Sequence, residues 1–164
     1  MSSQYAHASS KASGSTIEAL VINRERIQFV SDSEATWHDA TVLEAITPRT
    51  DLRFIECCVL SPGVCVEIKG TQGLRSNGSR QSPGSWLFQR GAHDNLVAAD
   101  GVYWFVVYAP RGSSTDVHAQ LVVPATVMDT LLEEQWYEAP PSRSEGEIAQ
   151  LSWINLLDRE VVLS

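Results

Sequence analysis

The sequence predicts a mixed α/β layer in a single domain, and three observations carry that prediction. Segments of helical and strand character interleave as helix, several strands, helix, strands, then helices, the order of a sheet flanked by helices. One run, Gly-Val-Tyr-Trp-Phe-Val-Val-Tyr at residues 101–108, is apolar throughout and rich in β-formers. It marks a strand buried on both faces, with Tyr103 to Tyr108 in the core. At 164 residues the chain is long enough to bury one proper core, and its hydrophobic (43%) and charged (20%) fractions are ordinary for a globular protein. No apolar run approaches the ~20 residues that span a bilayer, so no membrane partner is expected. No internal repeat is evident.

Residues 1–14 are rich in Ser and Ala and lack an apolar segment, so they read as a disordered lead-in rather than a secretion signal. Residues 15–164 read as one domain. A helix is expected over 16–25, where Ser15 and Glu18 form a capping-box pattern and Ile17, Leu20, Val21 and Arg24 share a face. Glu18 therefore has a structural explanation beside any catalytic one. Strands follow at 26–30 and 36–46, broken by the polar Ser31-Asp32-Ser33-Glu34 turn, and Trp37, His38 and Asp39 stand near the start of the second. His38 and Asp39 are candidate ligands, although a His at a strand start is more often a satisfied polar group.

A strand over 51–60, the Ser61-Pro62-Gly63 turn and a strand over 64–70 read as a hairpin. Residues 71–85 read as a long loop, with Gly73, Asn77, Gly78, Pro83 and Gly84 and no apolar period. A short strand at 85–89 carries Trp86 and Phe88, a helix covers 93–99, and strands cover 101–108 and 117–123. Pro124 suits the first turn of a helix reaching Glu133. A Pro-rich linker at 139–144 then leads to a last helix in which Ile148, Leu151, Ile154 and Leu157 or Leu156 keep helical spacing.

Charge is unevenly spread. The net charge of −8 argues at first against a nucleic-acid partner. Yet no Asp or Glu occurs from Gly70 to His93, a segment that holds Arg75, Arg80 and Arg90. The chain has ten Arg and only two Lys, Lys11 in the lead-in and Lys69 in a strand. Lys is a compact point charge whose pKa shifts readily, which Arg cannot match. The three cysteines, Cys57, Cys58 and Cys65, are odd in number and fall in expected strands, which fits a reduced, cytoplasmic protein.

The informative strand is Val64-Cys65-Val66-Glu67-Ile68-Lys69-Gly70. Its period of two puts Val64, Val66 and Ile68 on one face and Cys65, Glu67 and Lys69 on the other. With the two-residue loop Pro62-Gly63, Cys58 opposes Glu67 and Glu56 opposes Lys69, so Glu56, Glu67 and Lys69 cluster. A three-residue loop shifts the register by one and favours Asp51 as the second acid. Two carboxylates and a Lys suit phosphodiester hydrolysis: oxygen ligands select Mg²⁺ or Mn²⁺, and the Lys orients water and stabilises the transition state. The acid-free Arg segment would hold the backbone of DNA.

With the Val66-Glu67-Ile68-Lys69 strand in the second arm of a hairpin, the chain resembles the PD-(D/E)XK nuclease superfamily, which includes restriction endonucleases and archaeal Holliday-junction resolvases. The resemblance covers residues 15 to 110. It implies a restriction-endonuclease-like three-layer core, a central mixed sheet flanked by helices, with extra C-terminal helices. It also implies an Mg²⁺- or Mn²⁺-dependent DNA endonuclease, with Glu67 a metal ligand and Lys69 the catalytic Lys. Glu56 matches the acid of the preceding strand and Glu18 the acid of the first helix. No Pro-Asp dipeptide is present at the preceding acid, and Asp51 and Asp39 remain rivals. A homodimer is the expected assembly.

Trp86, Phe88, Arg90 and His93 complete the candidate DNA contacts. Trp86 and Phe88 stack on a base or anchor the core; Arg90, near a helix start, suits phosphate or plain surface; His93 caps the helix or shuttles a proton. Two other readings stay open. One is a non-catalytic nucleic-acid-binding domain of the same fold, the other an interaction module in which Glu67 and Lys69 are a surface ion pair.

Overall fold

The computed structural model describes residues 16–142 and 146–163; the expected lead-in and Ser15 lie outside them. The central element is a six-stranded mixed sheet in the order β1-β2-β4-β8-β9-β3. Its strands are β1 (Ile27–Phe29), β2 (Ala40–Val42), β3 (Arg53–Phe54), β4 (Cys65–Gln72), β8 (Val102–Arg111) and β9 (Ser114–Pro124). The pairs β4–β8 and β3–β9 are parallel and the others antiparallel. The apolar run sits in the middle as β8, with Val102 to Val107 all buried.

Each face of the sheet has its own core. Against one face lies α1 (residues 16–24), whose Ile17 and Val21 pack with Val66, Ile68, Trp104, Val106 and Val122. Against the other lie α2 (Arg90–Ala98) and α3 (Ala125–Leu132). A second sheet, β10 (Tyr137–Glu138), β11 (Glu147–Ser152) and β7 (Ser85–Gln89), packs there too. Trp86, Phe88, Tyr103, Phe105, Met128 and Trp153 fill that core. The result is the mixed α/β arrangement that the order of elements predicts, in the three layers that the family resemblance implies.

Two glycines let the layers close on β4. A Cβ at Gly70 would stand 2.9 Å from the Ile17 side chain, so α1 rests directly on the strand. A Cβ at Gly84 would stand 2.2 Å from the Gln72 carbonyl oxygen, so only glycine lets the chain entering β7 pass the end of β4 so closely.

Three expectations are corrected. The hairpin of 51–60 with 64–70 does not form. The Ser61 turn is there, with Gly63 at φ 91°, but β2 occupies that side of β4, through Ala40↔Val66 and Thr41↔Cys65. Before the turn Leu60 bridges to Ile46 and Leu52 to Arg49, neither to β4, and β3 lies at the far edge of the sheet beside β9. Buried Leu52 and Leu60 tie this segment into the α1 core instead. Residues 71–85 are a hairpin of β5 (Leu74–Asn77) and β6 (Arg80–Pro83), turned at Gly78 with φ 68°. The expected last helix is mostly β11, followed by a 3-10 turn (Trp153–Asn155) and a short α4 (Arg159–Leu163). A short apolar run fits either period, and pairing with β7 and β10 decides for strand.

Candidate active site

The floor of the site is β4. Alternation turns Val66 and Ile68 into the α1 core and leaves Glu67 and Lys69 partly buried on the opposite face. In the parallel pairing with β8, Glu67 stands beside Tyr103 and Lys69 beside Phe105. The Lys69 ammonium lies 5.3 Å above the centre of the Phe88 ring, a cation–π contact that fixes the end of a flexible chain.

Asp39 enters from the neighbouring strand, at the residue preceding β2. Its Oδ2 accepts a hydrogen bond from the Ile68 backbone N–H at 2.8 Å, while its own backbone N–H donates to the Val66 carbonyl at 2.9 Å. This double tie sets the Asp39 carboxyl beside Glu67, and the two side chains hydrogen-bond to each other. Glu18 reaches the same place from α1. Three acids and one Lys, from four separate stretches of sequence, thus converge at one end of β4.

The electrostatics follow from that crowding. Burial raises the Glu67 carboxyl well above its ordinary value; the Lys69 charge opposes this, while Asp39 and Glu18 add to it. Asp39 is raised by burial against the lowering pull of the Ile68 N–H, the bond from Glu67 and the Lys69 charge. Glu18 is pushed up to about 7, by burial first and then by Asp39, with Lys69 opposing. Bringing three acids around one ammonium leaves negative charge uncompensated.

Glu18, Glu67 and Lys69 line a cleft of about 590 Å³, and Asp39 is tied to its floor strand beside them. Thr36 and Trp37, residues of β7, Ala92 and His93 of α2, and Arg75 of β5 also border it. Trp37 is half-buried, packed on the core and against the His38 ring at 4.1 Å. His93 neither caps α2 nor reaches solvent: its side chain is fully buried. Its Nδ1 is 2.7 Å from the Tyr103 hydroxyl and its Nε2 is 2.9 Å from Asp129 Oδ1. With Nε2–H donating to Asp129 and Nδ1 accepting from Tyr103, all three groups are satisfied. Burial and the charges of Glu67, Asp129 and Asp94 hold the Tyr103 hydroxyl far above its ordinary pKa, so it stays protonated.

The other expected residues fall elsewhere. Glu56, expected across from Lys69, follows β3 at φ 52° and borders a groove with Thr126, Val127, Thr130 and Leu131. Asp51 is ion-paired with Arg49 at 3.1 Å, which lowers its pKa. Trp86 and Phe88 are core residues, 1% and 0% exposed, with Trp86 against Phe105, so neither ring is free to stack on a base. Arg80 sits on the β5–β6 hairpin. Arg90 stacks on Trp136 at 4.8 Å and pairs with Asp94 at 3.5 Å and Glu147 at 3.8 Å, outside the cleft. Asp39, one of the rival acids in the sequence, is the one that the fold sets beside Glu67, and a carboxylate just ahead of the Ala40-Thr41-Val42 strand is its visible signal. Trp37, two residues earlier, was noted without a role.

The donor set accepts a hard cation. Asp39 and Glu67 are adjacent oxygen donors whose charge is raised in cost by burial, and a divalent ion relieves that cost. Among the described residues no group of three or more His, Cys, Asp or Glu side chains closes on a single point. The fit is thus to an ion such as Mg²⁺, commonly bound by one or two carboxylates and otherwise by water and substrate phosphate. No helix among the described residues is long and apolar enough to cross a membrane.

Comparison with known proteins agrees with this geometry. A family model described as a PD-(D/E)XK nuclease superfamily domain matches residues 3–158. No curated protein and no solved structure gives a significant match.

Proposed function

The chain belongs to the PD-(D/E)XK nuclease superfamily, and from that premise we propose that it is a metal-dependent DNA endonuclease, with Glu67, Lys69, Asp39 and Glu18 as its working residues. Nucleases of this superfamily act on nucleic acid and generally use divalent metals. The observation that carries the finer reading is the convergence of Glu18, Glu67 and Lys69 in one cleft, with Asp39 tied to the floor strand beside Glu67.

Asp39 and Glu67 would hold Mg²⁺ or Mn²⁺. When bound, the cation acidifies water and offsets charge developing on the phosphate. Lys69 orients the attacking water toward phosphorus and its charge stabilises the pentavalent transition state. Glu18, with a pKa near neutrality, accepts the proton that the water releases. The water oxygen bonds to phosphorus as the bond to the leaving sugar oxygen breaks, and that oxygen takes a proton from solvent. Tyr103, locked by His93 and Asp129, stays a neutral wall beside Glu67 and keeps the acid in place.

One observation favours a non-catalytic nucleic-acid-binding domain: burial raises both Asp39 and Glu67 above their ordinary pKa values, and a carboxyl group that stays neutral holds no ion. Incubation with plasmid and with branched, duplex and single-stranded oligonucleotides separates the two. Cleavage that requires Mg²⁺ or Mn²⁺, stops in EDTA and is lost in Lys69→Ala and Glu67→Ala while DNA binding persists is the expected result. Binding without cleavage at any metal or salt concentration overturns the endonuclease reading.

A further inference from the structure

We infer that the DNA enters this cleft as an unpaired strand, with a base stacked on Trp37 and its phosphates on Lys69 and Arg75; this rests on the nuclease reading of the same site. Three observations support it. First, Glu67 and Lys69 line a cleft that is also bordered by Thr36 and Trp37, by β7 and by α2. The cleft's ~590 Å³ falls in the ~300–1,000 Å³ range of pockets that enclose a compact ligand, the scale of a nucleotide rather than of a duplex.

Second, Trp37 is the cleft aromatic suited to stacking. Trp86 and Tyr103 also border the cleft but are 1% and 2% exposed, each packed within the core. Trp37 is partly exposed, and it is braced by the core and by His38. An indole held in this way loses little freedom when a base lies on it, and any base will serve.

Third, the charge is too sparse for a duplex. Proteins that grip double-stranded DNA through its backbone neutralise on the order of 6–10 phosphates. Among the described residues, the cations at or beside the cleft are Lys69, Arg75 and, on the β5–β6 hairpin, Arg80. Arg90 is engaged by Trp136, Asp94 and Glu147. The acids on the floor and the net charge of −8 add repulsion along a longer polyanion. Stacking has to supply what electrostatics does not, and stacking needs a base out of its duplex.

The test is fluorescence anisotropy in EDTA, where no cleavage occurs, with a short labelled oligo-dT and the same strand annealed to oligo-dA. The single strand is expected to bind at least about ten-fold tighter, with a shallow salt dependence of log K on log salt near −2, as about three phosphate contacts to a single strand predict. Trp37→Leu, which keeps apolar bulk at the position, is expected to lose about ten-fold or more. Trp37→Phe is expected to retain the affinity while losing most of the quenching of intrinsic tryptophan emission on binding. Circular dichroism of each variant checks the fold. Equal affinity for the duplex, or a folded Trp37→Leu protein that binds as the parent does, overturns the inference. The two readings fail separately: a blunt duplex bound and cut as well as the single strand removes the unpaired-strand inference and leaves the nuclease. A single strand bound through Trp37 but never cut with Mg²⁺ or Mn²⁺ removes the nuclease and leaves the strand site.

Discussion

Two groups of acids around a single cation stand near opposite ends of α1, and they differ in kind. Near its start, Glu18 meets Asp39, Glu67 and Lys69. Just past its end, Glu25 meets Arg49, which also holds Asp51. Arg49 grips both oxygens of Glu25, with Nη1 to Oε2 at 2.9 Å, and its Nε donates to Asp51 at 3.1 Å. There every charge has a contact: Asp51 is held below its ordinary pKa and Arg49 above. At the cleft, among the described residues, no carboxylate lies within ion-pair distance of Lys69, and the acids are raised instead. A planar guanidinium in hydrogen-bond contact satisfies carboxylates, whereas an ammonium nearby only moderates them. The first group is closed. The second still has charge to offer a ligand.

The largest test of that contrast is catalytic. Asp39→Asn and Glu67→Gln each remove a charge from the open group and are expected to lower Mg²⁺-dependent cleavage by about 10²–10³-fold. Asp51→Asn and Glu56→Gln change acids that sit elsewhere and are expected to leave the rate within about two-fold. Initial rates on a labelled oligonucleotide decide it. A crippled Glu56→Gln or Asp51→Asn enzyme would return the partner acid to where the local sequence first suggested it.

How much of this was legible follows from the range of the forces involved. Glu67 and Lys69 were readable because alternation is local: Val66 and Ile68 need a core, so their neighbours face the other way. The strands β7, β8 and β9 and the helix α3 were readable for the same reason, as propensity and burial agreed within each segment. Asp39 could be named only as one rival among several acids, because its place depends on β2 pairing with β4 across more than twenty intervening residues. The nearby Ser61-Pro62-Gly63 turn made a hairpin the cheaper local guess. Leu52 and Leu60, buried under α1, pull that arm away, and only tertiary packing says so. The β5–β6 hairpin is different: Asn77-Gly78 is a turn signal that a loop reading passed over.

A second test uses pH, because the two groups respond with opposite sign. Glu18 and the raised Glu67 bind their protons more tightly folded than unfolded. Their contribution to stability is complete below the ordinary value of 4.5 and is lost as pH rises toward 7 and above. Asp51, lowered from 3.8, contributes above that value and loses its contribution as pH falls below it. The Tm of the protein in EDTA is therefore expected to fall between about pH 5 and 8, and Mg²⁺ to restore more of it at pH 8 than at pH 5. Melting curves with and without Mg²⁺ check this, and a Glu18→Gln/Glu67→Gln protein is expected to flatten the slope. A parent profile already flat over that range would mean that these acids ionise without cost.

The smallest effect is the most discriminating, because it concerns sign alone. In metal-free protein near pH 8, Glu67→Gln removes an ionisation that burial opposes and leaves an amide able to hydrogen-bond Asp39. It is expected to stabilise the fold by about 1 kcal/mol, the usual size of a gain when an active-site strain is relieved. Asp51→Asn removes an exposed, well-paired charge and is expected to destabilise it, by less than about 1 kcal/mol. Urea unfolding with a common m-value resolves the two directions. Both are single neutralisations beside a cation, so a simple count of charges predicts the same sign for each. Opposite signs would mean that the cleft acids are kept for what they bind, at the expense of the fold, while Asp51 is kept for the fold itself.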